Sequence, residues 1–87
     1  MATHALKTWP EYFEHLLYGL KTFELRKDDR GFQIGDKLLL QEYDPHGQEY
    51  SGREIEKTII HLLRHRPKAG CAAEFGLSPG YVILSLS

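Results

Sequence analysis

Between Trp9 and Arg26 the hydrophobic period changes from helical to strand-like, and Gly19 marks the change. Trp9, Phe13, Leu16, Leu17 and Leu20 recur at helical spacing and make one apolar stripe. Thr8 and Glu11 read as a Thr-x-x-Glu capping box, with Pro10 in the first turn, where a missing N–H costs nothing. Gly19 is a C-terminal stop, so a helix is expected over roughly residues 9–18. Thr22-Phe23-Glu24-Leu25-Arg26 then alternates apolar and polar, which predicts a half-buried strand. Side chains two apart in a strand share a face. The alternation therefore assigns Phe23 and Leu25 to the core, and Thr22, Glu24 and Arg26 to the other face.

The remaining chain is mostly strand-like. Residues 4–8 give a short opening strand and Lys37–Tyr43 a second clear one, after turns at Asp28–Gly31 and Ile34–Asp36. Asp44-Pro45-His46-Gly47 is dense turn chemistry, so the chain reverses there and returns near Tyr50. Residues 53–64 fit a helical face at Ile55, Ile59, Leu62 and Leu63, but the β-branched Thr58-Ile59-Ile60 favours a strand. The strand is preferred, because its neighbours need a pairing partner. Cys71–Phe75 is expected to make a helical turn, and Tyr81–Leu86 closes the chain as a buried strand. One helix and about five strands make a small α+β domain with a curled or barrel-like sheet.

With 87 residues, the chain is sized for one domain spanning 1–87. Such a domain buries only about 60–65% of its unfolded surface. The formal net charge of -1 excludes a globally basic nucleic-acid coat, so any attraction to phosphate must come from a local patch. Cys71 is the single cysteine, which excludes an intramolecular disulfide and fits a reducing compartment. No apolar run resembles a signal peptide or a membrane span, so a cytoplasmic protein with no membrane partner is expected.

The chemistry concentrates in Lys21, Glu24 and Arg26. Lys21 sits where helix hands over to strand, so its ammonium falls near the face that Glu24 and Arg26 share. Two cations and a carboxylate on a rigid strand can hold a phosphate or a polar base edge. Arginine offers a planar fork, lysine a movable point charge, and glutamate an acceptor for an exocyclic amine. The same spacing also fits a solvated ion pair on an exposed sheet face.

Gly19-x-Lys21-x-x-Glu24-x-Arg26 resembles the Gly-x-Lys-x-x-Glu-x-Arg signature of ASCH domains, members of the PUA-like superfamily. The likeness extends through His4–Phe13, Arg26–Arg30, Phe32–Asp36, Tyr50–Glu54 and Gly80–Leu84, closest to a small bacterial and phage branch. The resemblance implies a PUA-like β-barrel-like fold with a cleft beside the first helix. It implies binding of RNA or a modified nucleotide there, without a cofactor. Lys21, Glu24 and Arg26 would line that cleft, with Lys7 and Trp9 as its other wall. Some ASCH proteins hydrolyse acylated cytidine with a lysine, a threonine nucleophile and a glutamate. Lys21 matches that lysine, but Glu24 stands at the threonine position. Thr22 is the nearest hydroxyl, and Glu74 matches the glutamate only by loose position. A binding domain is therefore expected, with a nucleoside amidohydrolase as the alternative.

Other segments carry weaker signals. Lys57, His61, Arg64, His65, Arg66 and Lys68 form a basic run that suits either a phosphate backbone or a solvated strand edge. His61 and His65 have a metal-ligand spacing only on a helix, and no metal site is expected. Cys71 lacks an identifiable base and reads as an ordinary thiol. Trp9 and Tyr12, and more weakly Tyr43, are candidates for stacking a base, whereas Phe13 belongs to the core.

Overall fold

The computed structural model describes residues 1–64 and 77–87. Its elements are β1 (Thr3–Thr8), α1 (Pro10–Leu17), β2 (Phe23–Lys27), β3 (Lys37–Asp44), β4 (Glu49–Arg64) and β5 (Tyr81–Leu86). They form an α+β fold with one five-stranded sheet in the order β1-β3-β4-β5-β2. β1 runs parallel to β3, and the other pairings are antiparallel. The strand reading of residues 53–64 holds, within a strand that begins earlier. Cys71 and Glu74, and the helical turn expected around them, lie outside the described residues, as do His65, Arg66 and Lys68.

The barrel expectation is corrected. Among the described residues the sheet stays open, with β1 and β2 as its edges. β4 is the reason the sheet curls: residues 49–58 pair with β3, and 59–64 pair with β5 across a register shift at Ile59/His61. One long strand thus serves two sub-sheets, and the curl brings the unpaired edges opposite each other. Arg26 Nη2 donates to Lys7 O at 2.8 Å and Arg30 Nη1 to Ala5 O at 2.9 Å. Guanidinium groups bridge the seam where a barrel would have a backbone ladder.

The core lies inside the curl. Leu38 and Leu40 of β3, and Val82, Leu84 and Leu86 of β5, point inward at the two-residue strand period. Leu6, Leu16, Phe32 and Ile59 complete it. α1 contributes a narrower stripe than its spacing predicts, since Phe13 and Leu16 are buried while Trp9, Leu17 and Leu20 are exposed.

The helix ends are set by backbone geometry. Trp9, in extended conformation, is the N-cap and has no side-chain cap bond, and Pro10 opens the helix. The expected Thr8–Glu11 capping box is absent. Thr8 is the last residue of β1 and is buried on the same face as Leu6, and its hydroxyl makes no hydrogen bond to the helix start. At the other end Gly19 has φ 74°. Leu20 N–H bonds to His15 O (2.8 Å) and Gly19 N–H to Leu16 O (3.3 Å), the two bonds of a Schellman motif. Lys21 N–H also reaches His15 O, at 3.0 Å, so the chain leaves the helix with Lys21 already placed.

Candidate functional site

β2 carries the site, and its facing is the reverse of the sequence expectation. Glu24 is in register with Leu84 and Arg26 with Val82, both inward residues of β5. Register partners share a face, so Glu24 and Arg26 point into the curl, while Phe23 and Leu25 are about half exposed. Alternation establishes two faces but does not say which is inside; the pairing with β5 does.

Glu24 is the anchor. Its side chain is only 4% exposed. Lys21 Nζ lies 2.6 Å from Oε1, and Arg26 Nε lies 2.8 Å from Oε2. A buried carboxylate is costly unless paired, and here each oxygen has its own cation. Lys21 and Arg26 remain partly exposed. Arg26 uses Nε on Glu24 and one Nη2 hydrogen on Lys7 O, which leaves three of its five donors. The Lys21 ammonium also sits over the rings of Tyr12 and Phe23, at 5.1 and 5.2 Å.

These groups floor a cleft of about 430 Å³ between the sheet edges, within the usual range for small-ligand sites. Lys7, Thr8, Trp9 and Tyr12 line one side, and Phe23 and Leu25 the other. Trp9 and Tyr12 stack with centroids 6.3 Å apart and planes 22° apart, and both expose roughly half their surface. The cleft therefore combines an aromatic wall with a floor rich in donors. With both Glu24 oxygens held by cations, the floor suits an anion or an acceptor edge better than the base amine its sequence position suggests.

The structure brings Lys7, Trp9, Lys21, Glu24 and Arg26 to one cleft, though Lys7 plays a different part from the other cations. Its ammonium rests over Tyr43 at 4.4 Å, with Tyr50 at 6.0 Å, on the neighbouring strands. Tyr43 is occupied by that ammonium and by an edge contact with Tyr50, which leaves it a poor stacking surface. Thr22 is exposed and does not line the cleft. Thr8 does line it, and sequence inspection missed this because the capping pattern claimed the residue. The Thr8 Oγ1 is buried without a hydrogen-bond partner.

Two supports lie behind the site. Ser51, Gly52 and Arg53 form an irregularity in β4 opposite Glu42, and it aims Arg53 back at that buried carboxylate. Arg53 Nε and Nη2 meet the two Glu42 oxygens at 3.0 and 2.8 Å, and Nη2 also reaches Glu14 of α1. This clamp fixes the helix that carries Trp9 and Tyr12. It lowers the Glu42 carboxyl pKa and raises that of the Arg53 guanidinium. Within the described part of the basic run, Arg64 is engaged by Asp28 (2.6 Å) and the carbonyl of Phe32. No cluster of metal-ligating side chains occurs among the described residues. Nor is any helix there long and apolar enough to cross a membrane.

Fold and site together define a small α+β protein with a charged, aromatic-walled cleft at the seam of an open sheet. The chain belongs to the family described as a domain of unknown function, DUF3850, whose model matches residues 3–86. It is also similar to a protein of Escherichia phage P2 described as an uncharacterized 12.9 kDa protein in the GpA 3′ region. The two are 38% identical over 56 residues, covering 64% of this chain and 50% of the phage protein. The match thus spans half the length of that relative.

Proposed function

We propose that the cleft binds RNA or a modified nucleotide, with the phosphate or acceptor edge on Lys21 and Arg26 and a base against Trp9 and Tyr12. The observation that carries this reading is the buried Glu24. It holds two cations in fixed positions while leaving them donors for a ligand, below an exposed aromatic wall. The likeness of Gly19–Arg26 to the ASCH signature supports the same reading.

Trp9 is the single tryptophan, so its emission reports on the cleft directly. Titration with short RNAs should quench or shift that emission, with an affinity that falls as salt rises. Lys21→Ala and Arg26→Ala should each abolish the response. Tyr12→Ala should weaken it while leaving Glu24 paired. A flat trace from the folded wild type, or affinity unchanged in all three variants, would sink the proposal.

Hydrolysis of an acylated cytidine is the second reading, and the residue that bears on it is Thr8, which lines the cleft although its Oγ1 is buried. An attacking hydroxyl needs a group to take its proton, and Thr8 Oγ1 has no hydrogen-bond partner. Binding is the better supported reading. Release of cytidine from acetylated cytidine, lost in Lys21→Ala, would reverse that order.

A further inference from the structure

Beside the first cleft, along the same seam, lies a smaller depression of about 160 Å³ lined by Leu6, Arg26, Lys27, Asp29, Arg30 and Phe32. Arg26 lines both. We propose that this second depression is a phosphate subsite. The ligand would then be a strand of at least two nucleotides lying along the seam, one nucleotide in the first cleft and the next phosphate at Lys27 and Arg30. This inference rests on the nucleic-acid reading of the first cleft.

Three features support it. The lining carries three cations and one carboxylate, a local excess of positive charge on a chain whose net charge is -1. Arg30 uses only Nη1, on Ala5 O, and Lys27 has no ion-pair partner among the described residues, so both keep donors for an anion. The two arginines also grip β1 two residues apart, at Lys7 O and Ala5 O. In a strand that is about 6.6 Å, comparable to the separation of successive phosphates in a single strand. A lone nucleotide would fill the first cleft and leave the second untouched.

The test compares the four ribonucleoside monophosphates with a random-sequence RNA hexamer, both followed by Trp9 emission. The hexamer should bind at least about tenfold tighter. Lys27→Ala/Arg30→Ala should weaken hexamer binding by about tenfold, and Lys27→Ala alone should leave monophosphate binding unchanged. Each lost phosphate contact should also make the log affinity–log salt slope shallower by about 0.7. Lys27→Ala alone, which removes no contact that holds the fold, should show half the slope change. Asp29→Asn should tighten the hexamer. Equal affinity for monophosphate and hexamer, or a hexamer slope unmoved in the variants, overturns the subsite while leaving the first cleft standing. No response of wild type to either ligand overturns both.

Discussion

Thr8 is the residue whose environment is least reconciled with its chemistry. It is 2% exposed, and its Oγ1 has no partner, while the shape-matched valine would carry a methyl there. A buried hydroxyl left unpaired costs about 1–3 kcal/mol of stability. Thr8→Val should therefore stabilise the protein, by about 1 kcal/mol in urea unfolding. A loss of stability would show that the hydroxyl is satisfied in solution. Glu24 is the opposite case, a buried charge with a partner for each oxygen, so removing either cation leaves one buried carboxylate oxygen unpaired. That is why Lys21 and Arg26 work as a unit with Glu24, and why variants of the aromatic wall are needed beside them.

At the scale of elements, the α1–β2 connection places the site. Its Schellman bonds to His15 and Leu16 require a left-handed residue, and Gly19 supplies it at φ 74°. A Cβ on Gly19 would meet nothing within 4 Å, so the penalty for Gly19→Ala is conformational rather than steric with neighbours. The variant should lose about 1–2 kcal/mol of stability, and a rotated Lys21 should weaken ligand binding as well. Stability unchanged in Gly19→Ala would mean that the turn does not depend on the left-handed conformation. How much of this was legible beforehand differs by element. The helix, its Gly19 terminus and the strands were readable from periodicity and turn chemistry, which are local. The facing of β2 was not, because Phe23 and Leu25 are the apolar members of its alternation and yet lie outside. Their place is set by pairing with β5, about sixty residues away, whose own apolar face fills the core. Thr8 was misread for a related reason: the capping pattern is local, and the end of β1 took the residue first.

For the whole molecule, the open seam explains both the cleft and the groups that hold it. The turn before β3 is tied to the start of β1 by Asp36, which accepts from Ala2 N–H, Gln33 N–H and His4 Nε2, the last at 2.9 Å. These bonds, His4 foremost, hold the Asp36 carboxyl below its ordinary pKa, as Arg53 does for Glu42. The unfolded chain takes up both protons at a higher pH than the folded one does. The stability these groups contribute is therefore complete above about pH 5 and lost as pH falls through their depressed folded values. Thermal unfolding followed by circular dichroism should show a midpoint that drops below about pH 4. Asp36→Asn should be less stable than wild type near neutrality, with the gap narrowing in acid. Curves that stay parallel to pH 3 would remove Asp36 from this account.

The sequence by itself determined the mixed helix–strand composition, the helix stop at Gly19, and the grouping of Lys21, Glu24 and Arg26, because period, turn propensity and short spacing act over a few residues. Only the tertiary structure decided that Glu24 is buried, that Lys7 turns to Tyr43, and that Arg26 and Arg30 span the gap to β1. Those outcomes follow from β4 changing partners midway, which curls the sheet and brings together β1 and β2, edges that share no hydrogen-bond ladder.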